Sequence, residues 1–376
     1  MRVIHCDGSP STVRELDTAL RAAMVGGPTL APLAPGQPPP PRDPGPGQVV
    51  VATSGSSAGA TGAPKWVQLS AAALRAAATA AQARLGGPGR WLLALPTHHV
   101  AGLQALVRAA LAGTEPVALD LRGGFDPAGF AAAAKQLTGR CYTALVPTQL
   151  ARLLDASPGA LTGFDAVLLG GAAAPEGLVR RARAAGVRVV RSYGMTETAG
   201  GCVYDGWPLE GVRVRVAGDG RIQLAGSMLA TGYLDTPQSS QQEAFRDGWF
   251  MTSDLGTLDG QGRLRVLGRA DDVIVTGGIK VAPEEVEAVL TGLPGVAAAC
   301  VVGLPDPEWG HRVSAAVVPA DPAHPPDPGA LRAAARCLLT GAQTPKQIVL
   351  LDALPLRGIG KPDRNAVRAV LALRAR

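Results

Sequence analysis

From Gln48 to about Ala217, short β-branched or apolar runs alternate with Ala-rich stretches. VVVAT precedes Ser70 to Leu85, WLLALP precedes Leu103 to Ala112, TALVP precedes Leu150 to Leu154, AVLLGG precedes Pro175 to Ala185, and RVVRSYG closes the series. This alternation predicts parallel strands covered by helices. From about Val212 the texture changes to short strands around Gly and Asp, VRVRVAGDGRIQLAG and DGWFMTSDLGTLDGQGRLRVLGR, which predict antiparallel hairpins turning at AGDGR and DGQGR. Beyond Arg269 a smaller unit is expected. It has a helix opening at Pro283, with Pro in the first turn and acids after it, strands AAACVVGL and VSAAVVP, and a helix from Ala330 to Leu339. A short helix is predicted near Ser11 to Met24. Residues 31–47 carry eight prolines and three glycines and predict an exposed loop.

At 376 residues and about 150 per domain, the chain has room for two or three domains. Hydrophobic residues make up 47% and aromatics only 4%, so Ala, Val and Leu must build the interior, and wholesale disorder is excluded. The net charge of +6 is spread along the chain, which suits phosphates or small anions but gives no basic cluster for nucleic acid. Cys6, Cys141, Cys202, Cys300 and Cys337 are scattered and odd in number, suggesting neither a disulfide framework nor a cysteine zinc site. A cytoplasmic location is the expectation, with no membrane span; the first residues lack the apolar stretch of a signal peptide.

Four segments carry candidate chemistry. Val49 to Val67 reads VVVATSGSSAGATGAPKWV, a strand feeding a Ser-, Thr- and Gly-rich loop closed by Lys65. Exposed backbone amides, hydroxyls and one ammonium suit a polyphosphate, although the spacing is not that of a Walker loop. Ser192-Tyr-Gly-Met-Thr-Glu197-Thr offers an aromatic face, a hydroxyl and a carboxylate that could meet a base, a phosphate and magnesium; a turn with a Thr cap is the alternative. The third segment runs from Gly248 through Asp254 to Arg269, Asp271, Gly277 and Gly278. The last is Leu354-Pro-Leu-Arg-Gly-Ile-Gly-Lys361-Pro-Asp-Arg364.

In this order the segments resemble the phosphate-loop, Tyr-Gly-x-Thr-Glu, Thr-Gly-Asp, Gly-Arg-x-Asp and Gly-Lys signatures of the adenylate-forming acyl-CoA synthetase superfamily, over residues 49–364. PTHHVAGLQALVR, ALVPTQLARLL and AVLLGGAAAP are most similar to its o-succinylbenzoate–CoA ligase branch, which serves menaquinone biosynthesis. The resemblance implies an α/β fold: a large N-terminal domain (1–269) of parallel-sheet layers with a small β-barrel-like subdomain, hinged at Asp271 to a mobile α+β C-terminal domain (270–376). It implies ATP, magnesium and coenzyme A as cofactors and a small carboxylic acid as substrate, with a homodimer left open. Ser54, Gly55, Ser56, Thr61, Gly62 and Lys65 would embrace the phosphates. Gly170, Gly171 and Ala172 would line the adenine beside Tyr193. Thr196 would touch the α-phosphate, Glu197 would hold magnesium, and Asp254 and Arg269 would bind the ribose. Lys361 would be the catalytic lysine, and the segment around Gly277 and Gly278 would reach the CoA channel. His99, Gly102, Pro147 and Thr148 would line the acid pocket, with His98 behind His99.

Two departures from the family pattern stand out. TSGSSAGATGAPK is four residues longer between Ser56 and Thr61 than the usual phosphate loop, and Ser253 replaces the Gly of Thr-Gly-Asp. Tolerance is expected at Ser253, where the motif keeps its carboxylate. The rival readings are a ligase for another aryl or short acyl acid, an adenylating enzyme whose acceptor is not CoA, and a nucleotide-binding homologue without turnover. Arg84, Arg108, Arg152, Arg180, Arg181 and Arg183 fall at helical spacings and are expected on solvated faces.

Overall fold

The computed structural model describes residues 1–53, 65–234, 236–357 and 361–374. Its central sheet has seven strands in the order Trp207–Pro208, Gly200–Tyr204, Val189–Met195, Ala166–Leu169, Cys141–Leu145, Arg90–Leu93, Val117–Ala118. The last five are parallel and the first two form an antiparallel edge. Alternating apolar runs and helices therefore give the expected α/β architecture. VVVAT, however, belongs to a separate five-stranded sheet, in which Gln48–Ala52 pairs antiparallel with Trp66–Ser70.

Helices Ala71–Leu85 and Val100–Leu111 lie between these two sheets in one apolar core with Leu16, Leu20, Leu74, Trp91, Leu106 and Tyr142. Small alanine faces let the layers approach. Ser70 Oγ caps the first of these helices by accepting from Ala73 N at 3.1 Å, and Gly86 ends it at φ +104°. Helices Pro127–Ala134, Pro147–Ala156 and Glu176–Ala184 cover the opposite face of the central sheet around Phe130, Leu150, Leu153 and Val179.

The sandwiched position of helix Val100–Leu111 overturns one expectation. Arg108 is only 3% exposed, stacked 4.9 Å over the Trp91 ring and donating to Tyr204 Oη at 3.4 Å. Helical spacing alone cannot reveal that both faces of a helix are covered. Arg84, Arg152, Arg180, Arg181 and Arg183 are exposed as expected. The Pro-rich segment also differs from its expectation at its start, because Leu30–Leu33 is a fully buried strand parallel to Arg2–His5. Thr29 and Leu33 carbonyls accept from Arg2 and Cys6, so the odd-numbered residues face that neighbour. Pro32, lacking an N–H, faces the other side, where pairing with Gln48–Ala52 involves only Leu30↔Val49.

The hairpins appear where Gly and Asp predicted them. Arg213–Val216 pairs with Arg221–Ala225 and Trp249–Leu258 with Leu264–Arg269, within a third, antiparallel sheet. The C-terminal unit has a sheet of Ile274–Thr276, Ile279–Val281, Val296–Asp306, Gly310–Pro319 and Gln347–Leu350. Helices Pro283–Gly292 and Pro328–Arg336 pack around Val286, Leu290 and Val313, while helix Arg364–Leu373 packs with Cys300 and Val302. Helix Pro283–Gly292 also touches helix Glu176–Ala184 of the preceding layers.

Candidate active site

Four of the candidate segments sit where parallel strands of the central sheet end and loops begin: Pro96 to His99, Val146 to Thr148, Gly170 to Ala172 and Met195 to Glu197. Crevices at the carboxyl ends of such strands are open to ligands because the chain turns away there in both directions. Gln149 fastens two of these ends together. Its Oε1 accepts from Val146 N at 3.0 Å and its Nε2 donates to Ala94 O at 2.8 Å. Pro147 is buried in the first turn of helix Pro147–Ala156 and Thr148 is exposed.

Gly170 and Gly171 keep the crevice open for a backbone reason. A Cβ on Gly170 would stand 3.1 Å from Ser192 O, and Gly171 has φ +79°. Ala172 follows, half-buried. Gly102 has a packing reason of its own: a Cβ there would lie 2.4 Å from Pro96 O, so the missing side chain seats helix Val100–Leu111 on the loop before it. His98 and His99 precede that helix with ring centroids 4.3 Å apart. Burial, then His98 and Lys361, pulls His99 down to about 4, so its imidazole is neutral near pH 7.

The hairpin register brings Asp254 opposite Arg269. Asp254 Oδ2 accepts from Tyr193 Oη at 2.8 Å, and Asp254 Oδ1 lies 3.6 Å from Arg269 Nη1. Burial pushes the Asp254 carboxyl above its ordinary value, while the tyrosine bond, Arg269 and Lys361 pull it back. Arg269 also holds Asp271 at 2.9 Å. Ser253 lies half-buried in strand Trp249–Leu258 where the register against Arg221–Ala225 shifts between Met251 and Leu255, and it is outside the positive-φ residues, so a side chain there asks for no left-handed backbone.

Thr196, half-buried, opens the short 3-10 turn Thr196–Thr198, which Thr198 Oγ1 ties to Met195 O at 3.1 Å and to Gly200 O at 2.7 Å. The turn buries Glu197 to 6% exposure. Tyr233 Oη donates to Glu197 Oε1 at 2.9 Å, and Lys65 Nζ lies 5.2 Å from the Tyr233 ring centroid. Burial raises the Glu197 pKa, with the tyrosine and Lys65 opposing. Among the described residues no Arg or Lys makes an ion pair with this carboxylate. Tyr233 was missed in the sequence. As one of four tyrosines it stands out, but nothing local ties it to Glu197.

Lys361 arrives from the C-terminal unit, on the hairpin Leu356–Arg357 and Lys361–Pro362. It retains accessible surface, yet its surroundings and Arg269 hold its pKa below the usual lysine value while Asp254 raises it. Lys361, Asp254, Arg269 and His99 thus share one electrostatic neighbourhood. Gly277 and Gly278, both at positive φ, form the exposed turn between Ile274–Thr276 and Ile279–Val281, grouped with Trp309. Ser54, Gly55, Ser56, Thr61 and Gly62 lie outside the described residues.

Comparison with known proteins adds an independent line. Residues 7–234 match the AMP-binding enzyme family and residues 285–361 match the AMP-binding enzyme C-terminal domain. A probable 2-succinylbenzoate–CoA ligase of Mycobacterium tuberculosis (strain CDC 1551 / Oshkosh) is 50% identical over 324 residues, covering 85% of this chain and 83% of that one. The o-succinylbenzoate CoA synthetase (MenE) of Bacillus subtilis, solved with the acyl-adenylate intermediate OSB-AMP, superposes with a TM-score of 0.74 at 31% identity, covering 85% of this chain and 68% of its own. The same enzyme with ATP and a magnesium ion gives 0.72 at 31% identity, covering 84% and 69%. The amide bond synthetase McbA of Marinactinospora thermotolerans gives 0.78 at 29% identity, covering 96% of this chain and 79% of its own.

Proposed function

The chain belongs to the AMP-binding enzyme family, and from that premise we propose that it is an ATP-dependent acid–CoA ligase that converts o-succinylbenzoate to o-succinylbenzoyl-CoA in menaquinone biosynthesis. The observation that carries this reading is the crevice group itself: Asp254, bonded to Tyr193 and 3.6 Å from Arg269, and buried Glu197, bonded to Tyr233, with Lys361 of the C-terminal unit within electrostatic reach of Asp254. The half-identical mycobacterial relative and the OSB-AMP complex support the choice of acid.

A carboxylate resists attack by a thiol because it is anionic and its leaving group would be oxide. In the first step one carboxylate oxygen attacks the α-phosphorus of ATP, the bond to pyrophosphate breaks, and an acyl-adenylate forms. In the second, the CoA sulfur attacks the acyl carbon, the bond to AMP breaks, and the thiol proton is released. Lys361 sits beside the two reacting anions and offsets the charge that develops between them. Thr196 donates to the α-phosphate. Asp254 accepts from the ribose hydroxyls, with its orientation fixed by Tyr193 and Arg269. Gly170, Gly171 and Ala172 give the adenine a backbone-lined slot, and Lys65 with the loop before it meets the outer phosphates.

Glu197 fits a cation: it is a buried carboxylate raised in pKa by burial, with one neutral hydrogen-bond donor and no ion pair among the described residues. Magnesium held there would neutralise phosphate charge. His99, neutral at pH 7, lines the aromatic part of the acid. Residues 1–269 and 270–376 act as two domains hinged at Asp271, so that rotation can bring Gly277 and Gly278 to the thiol in the second step. A reaction that draws on ATP and free CoA belongs in the cytoplasm.

A screen of carboxylic acids for AMP release, with and without CoA, tests the assignment. o-Succinylbenzoate should turn over fastest and require CoA. Better rates with benzoate or a medium-chain fatty acid would remove the menaquinone assignment. The amide synthetase's 96% coverage of this chain favours one second reading, an amine acceptor, which AMP release supported by amines but not by CoA would establish.

A further inference from the structure

Three residues beyond Lys361, Arg364 opens helix Arg364–Leu373, where Asp363 caps the first turn by accepting from Asn365 N at 3.0 Å and Ala366 N at 3.2 Å. The Arg364 side chain turns into the C-terminal unit. Nη2 donates to Glu284 Oε1 at 2.7 Å, Nη1 donates to Glu287 Oε1 and, at 2.7 Å, to Val301 O, and Nε lies 3.2 Å from Asp272 Oδ2. One guanidinium thus joins helix Pro283–Gly292, strand Val296–Asp306 and the turn Ala270–Asp272. That turn matters because Asp271, next to Asp272, is the residue bonded to Arg269, and Arg269 faces Asp254. A chain of contacts thus runs from the helix that follows the lysine hairpin, through Arg364 and Asp272 and then Asp271 and Arg269, to Asp254 in the crevice.

The arrangement is also tight against the preceding sheet. A Cβ on Gly268 would stand 1.9 Å from Glu284 Oε2, and that oxygen is buried with no hydrogen-bond partner among the described residues. Arg364 therefore gathers three carboxylates, and one of them is wedged beneath the glycine that precedes Arg269. A lysine could not replace it, because its single nitrogen cannot serve three carboxylates and a carbonyl in a planar fork.

We propose that Arg364 is a positioning residue for Lys361: by clamping Asp272, Glu284 and Glu287 it fixes where the lysine stands against the crevice in the adenylation step, without touching substrate. This rests on the ligase reading above. A displaced lysine loses its effect on the reacting oxygens steeply, since misplacement by about 1 Å can cost on the order of 100-fold.

The test separates the two half-reactions in the full chain. Wild type is first shown to make acyl-adenylate from ATP and o-succinylbenzoate; failure there with every acid tried sinks the ligase reading itself. Arg364→Lys and Arg364→Gln should then lower the kcat for adenylate formation by roughly 30-fold or more, with KM values for ATP and acid within about threefold of wild type. Thioester formation from supplied acyl-adenylate and CoA should stay within about threefold. The decisive measurement is made in the Lys361→Ala background, where replacing Arg364 should cost adenylation less than about twofold further, because a residue acting through another loses its effect when that one is gone. Full additivity, equal loss of both half-reactions in a folded variant, or an undiminished kcat would each overturn the proposal. Should the Arg364 variants fail to fold, Asp272→Asn, which removes only the hinge-side arm of the clamp, enters the same cycle with Lys361→Ala, and the same results support or overturn the proposal.

Discussion

Two groups of buried or half-buried carboxylates in this molecule have neighbours that differ in kind. In the crevice, Glu197 and Asp254 receive hydrogen bonds from tyrosines, Tyr233 at 2.9 Å and Tyr193 at 2.8 Å, and of the two only Asp254 has an ion-pair partner among the described residues, Arg269 at 3.6 Å. In the C-terminal unit Glu284, Glu287 and Asp272 surround Arg364 at bonding distances. A tyrosine orients a carboxylate without cancelling its charge, which under the ligase reading proposed above reserves negative charge for a metal ion or for ribose hydroxyls. A guanidinium pairs with carboxylates and fixes them, so the second group, one cation shared among three acids, uses its charge to hold elements together. Buried charge left uncancelled is costly and persists where a ligand completes it.

The difference is broken most forcefully at Lys361, the cation that the C-terminal unit lends to the crevice. Lys361→Ala should lower acyl-adenylate formation by about three orders of magnitude, while thioester formation from supplied adenylate and CoA keeps a substantial fraction of its rate. Single-turnover assays of each half-reaction check this. Equal loss of both would place the lysine in general stability or CoA binding, and equal retention would return it to the surface charges.

Glu197→Gln keeps shape and the tyrosine bond but removes the reserved charge. Adenylation should fall by roughly 100-fold or more, partly recoverable at high magnesium, with a thermal midpoint no lower than that of wild type. An unaltered rate would reduce the Thr196–Thr198 turn to a structural feature. Tyr233→Phe is the finer version. It leaves the charge but frees the carboxylate to rotate, and a lost hydrogen bond to a charged group is worth about 1.5–3 kcal/mol. The magnesium concentration needed for half-maximal adenylation should rise by about tenfold or more, with little change at saturation.

These variants also mark where the sequence stopped being informative. Asp254, Arg269, Glu197 and Lys361 were legible because each lies in a local string with its own turn chemistry: Thr196–Thr198, the Asp259 to Arg263 turn, the glycines before Lys361. Parallel layers and hairpins were legible from period and punctuation. Tyr233 was not, because its bond to Glu197 spans 36 residues and two sheets. Nor was Arg364, whose partners Asp272, Glu284, Glu287 and Val301 are remote in sequence, in three elements, and whose local context is a plain helix start. Arg108 reads like a surface charge until the second sheet closes over its helix. Pro32 reads as a loop until the neighbour that would need its N–H ends its pairing.

The smallest effect concerns stability and sharpens the contrast between the two groups by its sign. Burial, with Glu287 and Asp272 adding to it against the pull of Arg364, raises Glu284 from 4.5 to about 7. The folded state then binds a proton that the unfolded state has released between those values, so stability from this group is present below about pH 4.5 and is lost as pH rises to about 7. His99 works the other way. Its folded value near 4 lies below the ordinary 6.5, so folding expels a proton and stability is lost as pH falls through that window. The two slopes overlap and oppose each other in the parent, which is why the measurement must be a difference. Glu284→Gln is neutral at every pH and can still accept from Arg364 through its remaining oxygen. The parent-minus-variant free energy of unfolding, from denaturant melts across pH 4.5 to 8, should therefore decline by on the order of 2 kcal/mol as pH rises, leaving the variant the more stable relative to the parent in alkali. The same difference taken with His99→Asn should climb over pH 4 to 6.5. A flat line for Glu284→Gln would mean that its carboxylate is fully compensated by Arg364 and titrates like any other, and the wedge under Gly268 would then be packing alone.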